Sequence, residues 1–304
     1  MSLGPIGFIG LGLLGQAMAL RLKSRGFDVI AWNREPERHA PLKEAGARIA
    51  ASPREVAQAC DVLCLCVLDA EAVRDVMFGA EGVVRAKHRP HTVVDFSTMH
   101  PQATREIAVA ASAAGIPDWI DAPVSGGPAA AEGGHLTAMV GGRSEALRNV
   151  DSILRAVAAN STHLGDVGSG QAMKAVNQAL VGSTFVMLAE ALALVRQLGL
   201  PAAAVPACLE GGMADSVGLQ RVWPRMVAED FTPPTGRAAQ LLKDLKSVDQ
   251  MRDVAKLSLP LIEAATAQYQ RYVDSGAGND ETVSISRLYK SHLARRHGET
   301  RKKE

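Results

Sequence analysis

The chain is poor in cysteine and almost without net charge, and each shortage removes a class of function. Three of its four cysteines, Cys60, Cys64 and Cys66, lie in one run, "CDVLCLCVLD". Cys64 and Cys66 share a face of an expected strand, and no second Cys or His pair stands at ligand spacing. The cluster therefore reads as core packing, with no metal centre expected. Lysine and arginine total 33 against 32 acidic residues, a formal charge of +1. No global field gathers nucleic acid or draws the chain to an anionic membrane. No cationic segment followed by an apolar run and a cleavage site opens the sequence, so the expected location is the reducing cytoplasm. Internal repeats and low-complexity tracts are also missing, and the charged tail 295–304 reads as a solvated end.

What is present is length and pattern: 304 residues suggest two domains. Short β-rich runs at 5–10, 28–32, 61–68, 92–96, 116–124 and 136–142 alternate with helical stretches such as 16–26 and 101–115. That alternation predicts an α/β fold, a Rossmann-type doubly wound parallel sheet over residues 1–165. Beyond it the strand signals stop, and residues 166–304 predict an all-helical domain. Its helices are expected at 169–198, 201–211, 215–228, 235–255, 258–275 and 279–294. Trp223, Phe231 and Tyr269 read mostly as core or interface aromatics of that domain.

Residues 179–195 are the strongest candidate for a membrane span, but Ser183, Thr184 and Glu190 interrupt the run and Arg196 closes it. The expectation is a helix buried in protein, at a domain junction and in a homodimer or homotetramer interface. Lys174 and Glu190 are the only ionised side chains of 168–195. By spacing alone, Lys174 reads as a lysine that snorkels to the surface near a helix end.

"GFIGLGLLGQAMA", residues 7–19, sets Gly10, Gly12 and Gly15 between a strand and a helix, with Leu11, Leu13 and Leu14 between them. The first glycine permits a tight turn, the second a close backbone approach to a pyrophosphate, and the third close helix–strand packing. Helix-start amides then face the anion. An NAD site commonly carries an acid at the end of the second strand, where this chain has Asn33 and Arg34. A guanidinium can pair with a 2′-phosphate that a carboxylate would repel. The cofactor expected is NADP(H), with NAD(H) possible because Glu35 could serve the ribose in a shifted register. Ser97 and Thr98 either line the cofactor crevice or cap the helix that begins near Pro101.

Five motifs in order, at 7–19, 95–99 ("DFSTM"), 121–142 ("DAPVSGGPAAAEGGHLTAMVGG"), 168–180 ("GSGQAMKAVNQAL") and 241–248 ("LLKDLKSV"), resemble the β-hydroxyacid dehydrogenase family over nearly the whole chain. The resemblance implies that Ser125, Gly126 and Gly127 anchor a small carboxylate substrate. It implies that Lys174 is the catalytic lysine, that Lys243 closes over the nicotinamide with Asp244 holding its segment, and that Thr98 lies near the cofactor. Leu14 and Ala17 stand where relatives commonly have Met and Pro. Gln178 stands where many have Asn, which leaves open whether Asn177 or Gln178 assists the lysine. The implied activity interconverts a small β-hydroxy acid and its semialdehyde, with Lys174 as proton donor or acceptor. Apolar surroundings and the positive end of a helix both disfavour the ammonium form and so suit it to proton transfer. The alternatives are an imine reductase and a non-catalytic NADPH-binding scaffold.

Overall fold

A computed structural model describes residues 4–290. The charged tail, and the end of the helix expected at 279–294, lie outside the described residues. Contacts divide the chain into two compact units between Lys174 and Ala175. The division falls beyond the boundary expected at 165 because residues 168–174 are tied into the first unit.

In the first unit, six strands form one parallel sheet: β1 Ile6–Ile9, β2 Val29–Trp32, β3 Arg48–Ile49, β4 Val62–Leu65, β5 Thr92–Asp95 and β6 Asp118–Asp121. Their order is β3-β2-β1-β4-β5-β6. The direction of winding reverses between β1 and β4, the place where open α/β sheets bind ligands at their carboxyl ends. Strands β1, β4, β5 and β6 are buried at every position, as a sheet covered on both faces requires. One face packs Phe8, Met18, Leu22, Ile120 and Leu154; the other packs Ile9, Leu63, Met77, Val93 and Ile107.

The covering helices are α1 Leu13–Ser24, α2 Ala40–Glu44, α3 Pro53–Gln58, α4 Ala70–Phe78, α5 Pro101–Ala113, α6 Gly127–Gly133 and α7 Ser144–Val157. Helix α7 shows the cause of such helices plainly: Val150, Ile153, Leu154 and Val157 recur at i, i+3, i+4 and i+7 and are all buried. A second sheet orders β7 Val124–Ser125, β8 Leu136–Val140 and β9 Ala158–His163, with β7–β8 antiparallel and β8–β9 parallel. Strand β9 escapes sequence reading because five of its six residues are exposed and four of those are polar. Strand β3 escapes because it is two residues long.

The 29-residue helix α8, Ser169–Gln197, begins in the first unit and continues into the second. It is long and apolar enough to cross a membrane, and one third of its most apolar window is buried. The second unit continues with α9 Val205–Leu209, α10 Val217–Ala228, α11 Ala238–Ala255 and α12 Pro260–Tyr272. Its core holds Leu188, Leu192, Trp223, Met226, Leu245 and Tyr269. Trp223 and Tyr269 bury their rings and still find acceptors, the carbonyls of Ala202 at 2.8 Å and Thr282 at 3.0 Å. In place of the last expected helix, a wide turn at Val273–Ala277 leads to a tight 3-10 helix, Thr282–Tyr289. Gly276, at φ +92°, breaks the earlier helix, and the Glu281 carboxylate restarts the chain by accepting from the Val283 amide.

Candidate active site

At the carboxyl end of β1 the three glycines have two kinds of cause. Gly10 sits at φ +99°, and a Cβ there would lie 2.2 Å from the Cys66 carbonyl oxygen. A Cβ on Gly15 would lie 2.0 Å from the Gly10 oxygen. Both are demanded by the chain's own packing. A Cβ on Gly12 would meet no protein atom within 4 Å. What glycine provides at 12 is clearance above the loop, on the side where the start of α1 carries no side-chain cap and no acid in its first turn. That cradle fits a pyrophosphate.

Leu11 is fully buried, Leu13 is exposed and Leu14 packs on the core. The Leu11 amide donates to Asn33 Oδ1 at 2.7 Å, and Asn33 Nδ2 donates to Glu35 Oε2 at 2.8 Å. Asn33, expected at a 2′-phosphate, thus has its side chain buried and engaged in stitching the glycine loop to the end of β2. Arg34 keeps an exposed guanidinium there, 3.3 Å from Glu35 Oε1. Desolvation is the largest single influence on the Glu35 carboxylate and opposes it, but hydrogen bonds from Asn33 and Arg34 together outweigh it and hold the group below its ordinary range.

The ends of β5 and β6 carry features that sequence reading missed. Asp95 and Asp121 are register partners, and both are fully buried. Asp95 Oδ1 accepts from the Ser97 amide at 2.9 Å, while its Oδ2 is buried without a hydrogen bond. Burial pushes its carboxyl up to about 7, and the neighbouring Asp121 adds to the rise. Asp121 accepts from the Gly168 and Gln171 amides at 2.8 and 2.9 Å, which caps the start of α8. Burial also raises Asp121 against those bonds. Gly170 lets the helix tip down onto the strand, since a Cβ there would lie 2.3 Å from the Met139 oxygen. One turn along the helix, Lys174 is 7% exposed, which corrects the snorkelling alternative.

Neither Ser97 nor Thr98 caps α5. His100 does so, accepting from the Gln102 amide at 3.2 Å. Ser97 Oγ instead accepts from the Val67 amide at 3.0 Å, joining the loops after β4 and β5. Ser125 ends β7, half-buried, and Gly126 and Gly127 follow at φ +132° and +75° to open α6, again with no side-chain cap. In the second unit, Asn177 Nδ2 donates to Gln178 Oε1 at 3.0 Å and Gln178 Nε2 to Asp244 Oδ2 at 2.7 Å. Lys243 Nζ lies 3.4 Å from Asp244 Oδ1. The two amides and Lys243 thus form one chain of contacts through a buried aspartate. Among the described residues no group of three or more His, Cys, Asp or Glu stands ready for a metal. Burial pushes the Cys60 and Cys66 thiols up to about 12, as inert core thiols require.

Known proteins share this architecture. The family described as the NAD binding domain of 6-phosphogluconate dehydrogenase matches residues 5–165, and that described as NAD-binding of NADP-dependent 3-hydroxyisobutyrate dehydrogenase matches 168–289. The 2-(hydroxymethyl)glutarate dehydrogenase of Eubacterium barkeri is 31% identical, over 93% of this chain and 94% of its own length. The 2-hydroxy-3-oxopropionate reductase of Escherichia coli is 33% identical, over 86% and 88%. The crystal structure of a 3-hydroxyisobutyrate dehydrogenase from Salmonella typhimurium superposes with a TM-score of 0.85 at 29% identity, covering 94% of this chain and 99% of that one. With its glycine cradle and its doubly wound sheet followed by helices, the chain belongs to the β-hydroxyacid dehydrogenase family of NAD(P)-dependent oxidoreductases.

Proposed function

We propose that the protein is an NADP(H)-dependent dehydrogenase that interconverts a small β-hydroxy acid and its semialdehyde. The observation that carries this reading is Lys174. It is a buried lysine one turn into a helix whose tip Asp121 ties to the carboxyl end of the sheet, where the ligand crevice of such sheets lies. The loop Gly10–Gly15 would hold the pyrophosphate, with Thr98 near the cofactor and Arg34 at the 2′-phosphate, and Lys243 is assigned a cofactor-binding role. When bound, NADPH supplies the hydride. In the direction of reduction, Lys174 gives a proton to the developing alkoxide; in oxidation it takes that proton back. Ser125 and the amides of the Gly126–Gly127 turn receive the substrate carboxylate, with no side chains in the way. Asn177 and Gln178, three and four residues after Lys174 and linked to Asp244, are the amides assigned to the substrate. A panel of small semialdehydes and β-hydroxy acids, followed at the nicotinamide absorbance with NADP(H) and NAD(H), tests the reading. NADPH-dependent reduction of a semialdehyde is expected; no turnover on any member rejects it.

The cofactor preference has its own test. Arg34→Ala removes a charge-assisted contact and is expected to weaken NADPH about tenfold or more while leaving NADH within about twofold. Unchanged NADPH affinity by fluorescence titration rejects the role of Arg34.

Helix α8 also bears Val176, Leu180, Met187 and Leu194 along one stripe, each about half or more exposed. Contiguous apolar surface of this kind is costly in water. A second copy of the chain is its proposed cover, consistent with a homodimer or a tetramer built from dimers. Light scattering at micromolar concentration is expected to give at least a dimer, and Leu180→Glu to reduce it; a monomeric wild type rejects the interface.

A further inference from the structure

Gln171 stands three residues before Lys174 on α8 and is 1% exposed. Its side-chain Nε2 donates to the Ser97 carbonyl at 2.7 Å, and its Oε1 accepts from the Met99 amide at 3.1 Å. The two bonds straddle Thr98. A residue of a neighbouring parallel strand pairs in this way, giving its N–H to the carbonyl before a residue and taking the N–H after it. Residues 96–100 lie beyond β5 and outside any regular element, so one side-chain amide does there what a strand would do. A neutral primary amide offers one donor and one acceptor in a single plane at that reach, which a carboxylate does not. The backbone amide of Gln171 is held separately by Asp121. The residue is therefore clamped at both ends, with the loop on its side chain and the sheet on its main chain.

We propose that Gln171 is a positioning residue of the hydride-transfer site: it fixes the loop around Thr98 to the helix turn that carries Lys174. The inference rests on the dehydrogenase reading above. Residues three apart share a helix face, so Gln171 and Lys174 move as one body. A shift of the loop against this body separates the proton donor from the groups along the cofactor. Misplacement on the scale of an ångström costs as much as ~10²-fold in rate with little change in binding. The chain thereby sets the distance between its two reacting ends with one side chain.

The test compares the wild type, Lys174→Ala, Gln171→Met and Gln171→Glu in the full-length protein, using NADPH and the best semialdehyde of the panel. Gln171→Met keeps the volume and removes both bonds. It is expected to lower kcat roughly tenfold to ~10²-fold, with KM and NADPH affinity near wild type. The kinetic isotope effect from NADPH deuterated at the transferred position should rise, because chemistry becomes limiting. A merely structural role changes the amount of folded enzyme and leaves that isotope effect alone. Gln171→Glu adds a rescue. As the neutral acid it donates to Ser97 and accepts from Met99, whereas the carboxylate faces the Ser97 carbonyl with no proton to give. Its turnover relative to wild type at the same pH should climb as pH falls, while the ratio for Gln171→Met stays flat. The titratable neighbours Asp121, Asp95 and Lys174 are common to these proteins, and the Gln171→Met ratio records their contribution when residue 171 carries no ionisable group. If Gln171→Met does not fold, the pH dependence of Gln171→Glu decides alone. Turnover of Gln171→Met within about threefold of wild type, or a flat ratio for Gln171→Glu, overturns the inference while leaving the dehydrogenase reading in place. An inactive wild type, or a Lys174→Ala variant with normal turnover, overturns that reading and the inference with it.

Discussion

Replacing Lys174 with methionine is expected to lower turnover at least ~10²-fold, the usual scale for a positioned proton donor, while the protein folds and binds NADPH as before. Methionine matches the length of the lysine stem and suits the buried position. The tie that seats this turn of α8, from Asp121 to the Gly168 and Gln171 amides, does not involve the lysine side chain. The loss should therefore fall on kcat, read at saturating semialdehyde, with cofactor affinity measured separately by fluorescence. Near-normal turnover refutes proton transfer by Lys174 and returns the residue to a packing role.

The second large effect concerns stability and pH. Buried Asp95 holds its proton up to about 7 in the folded chain, against an ordinary value of 3.8. Between those limits the folded state binds more protons than the unfolded one, so the free energy of unfolding falls as pH rises. The contribution is complete below the ordinary value and lost above about 7, to a ceiling of about 4 kcal/mol. Asp95→Asn keeps an acceptor for the Ser97 amide and removes the ionisation. In thermal unfolding from pH 4 to pH 8 the wild type should lose several degrees more than the variant across that interval. Asp121, raised in the same direction by burial, leaves both proteins a common residual slope. Identical slopes would show that Asp95 is ionised without penalty in the native fold.

Much of the architecture was legible in the chain because its signals are local. Continuous apolar runs bounded by turn residues marked the buried parallel strands, and glycine spacing marked the phosphate loop. Strand β9, almost wholly exposed and polar, left no such trace. The site was legible unevenly. Gly10, Gly12 and Gly15 announced themselves by spacing, but Asn33 carried no mark of its bond to the Leu11 amide, made 22 residues away. Arg34 and Asn33 look alike as candidates in a sequence; burial separates them, leaving one guanidinium in solvent and engaging the amide within the chain. His100 displaced Ser97 and Thr98 as the cap of α5 because the loop's own hydrogen bonds draw Ser97 toward Val67.

By itself the sequence determined the alternation of buried strands and helices in the first unit, the glycine cradle and the isolation of Lys174 in an apolar run, all properties of neighbours along the chain. Only the tertiary structure decided what surrounds them. Asp95 and Asp121 become a buried pair because β5 and β6 lie side by side. Gln171 reaches a loop 72 and 74 residues distant because Asp121 seats its helix there. A hydrogen bond of that span depends on the sheet having formed, and no spacing in the sequence encodes it.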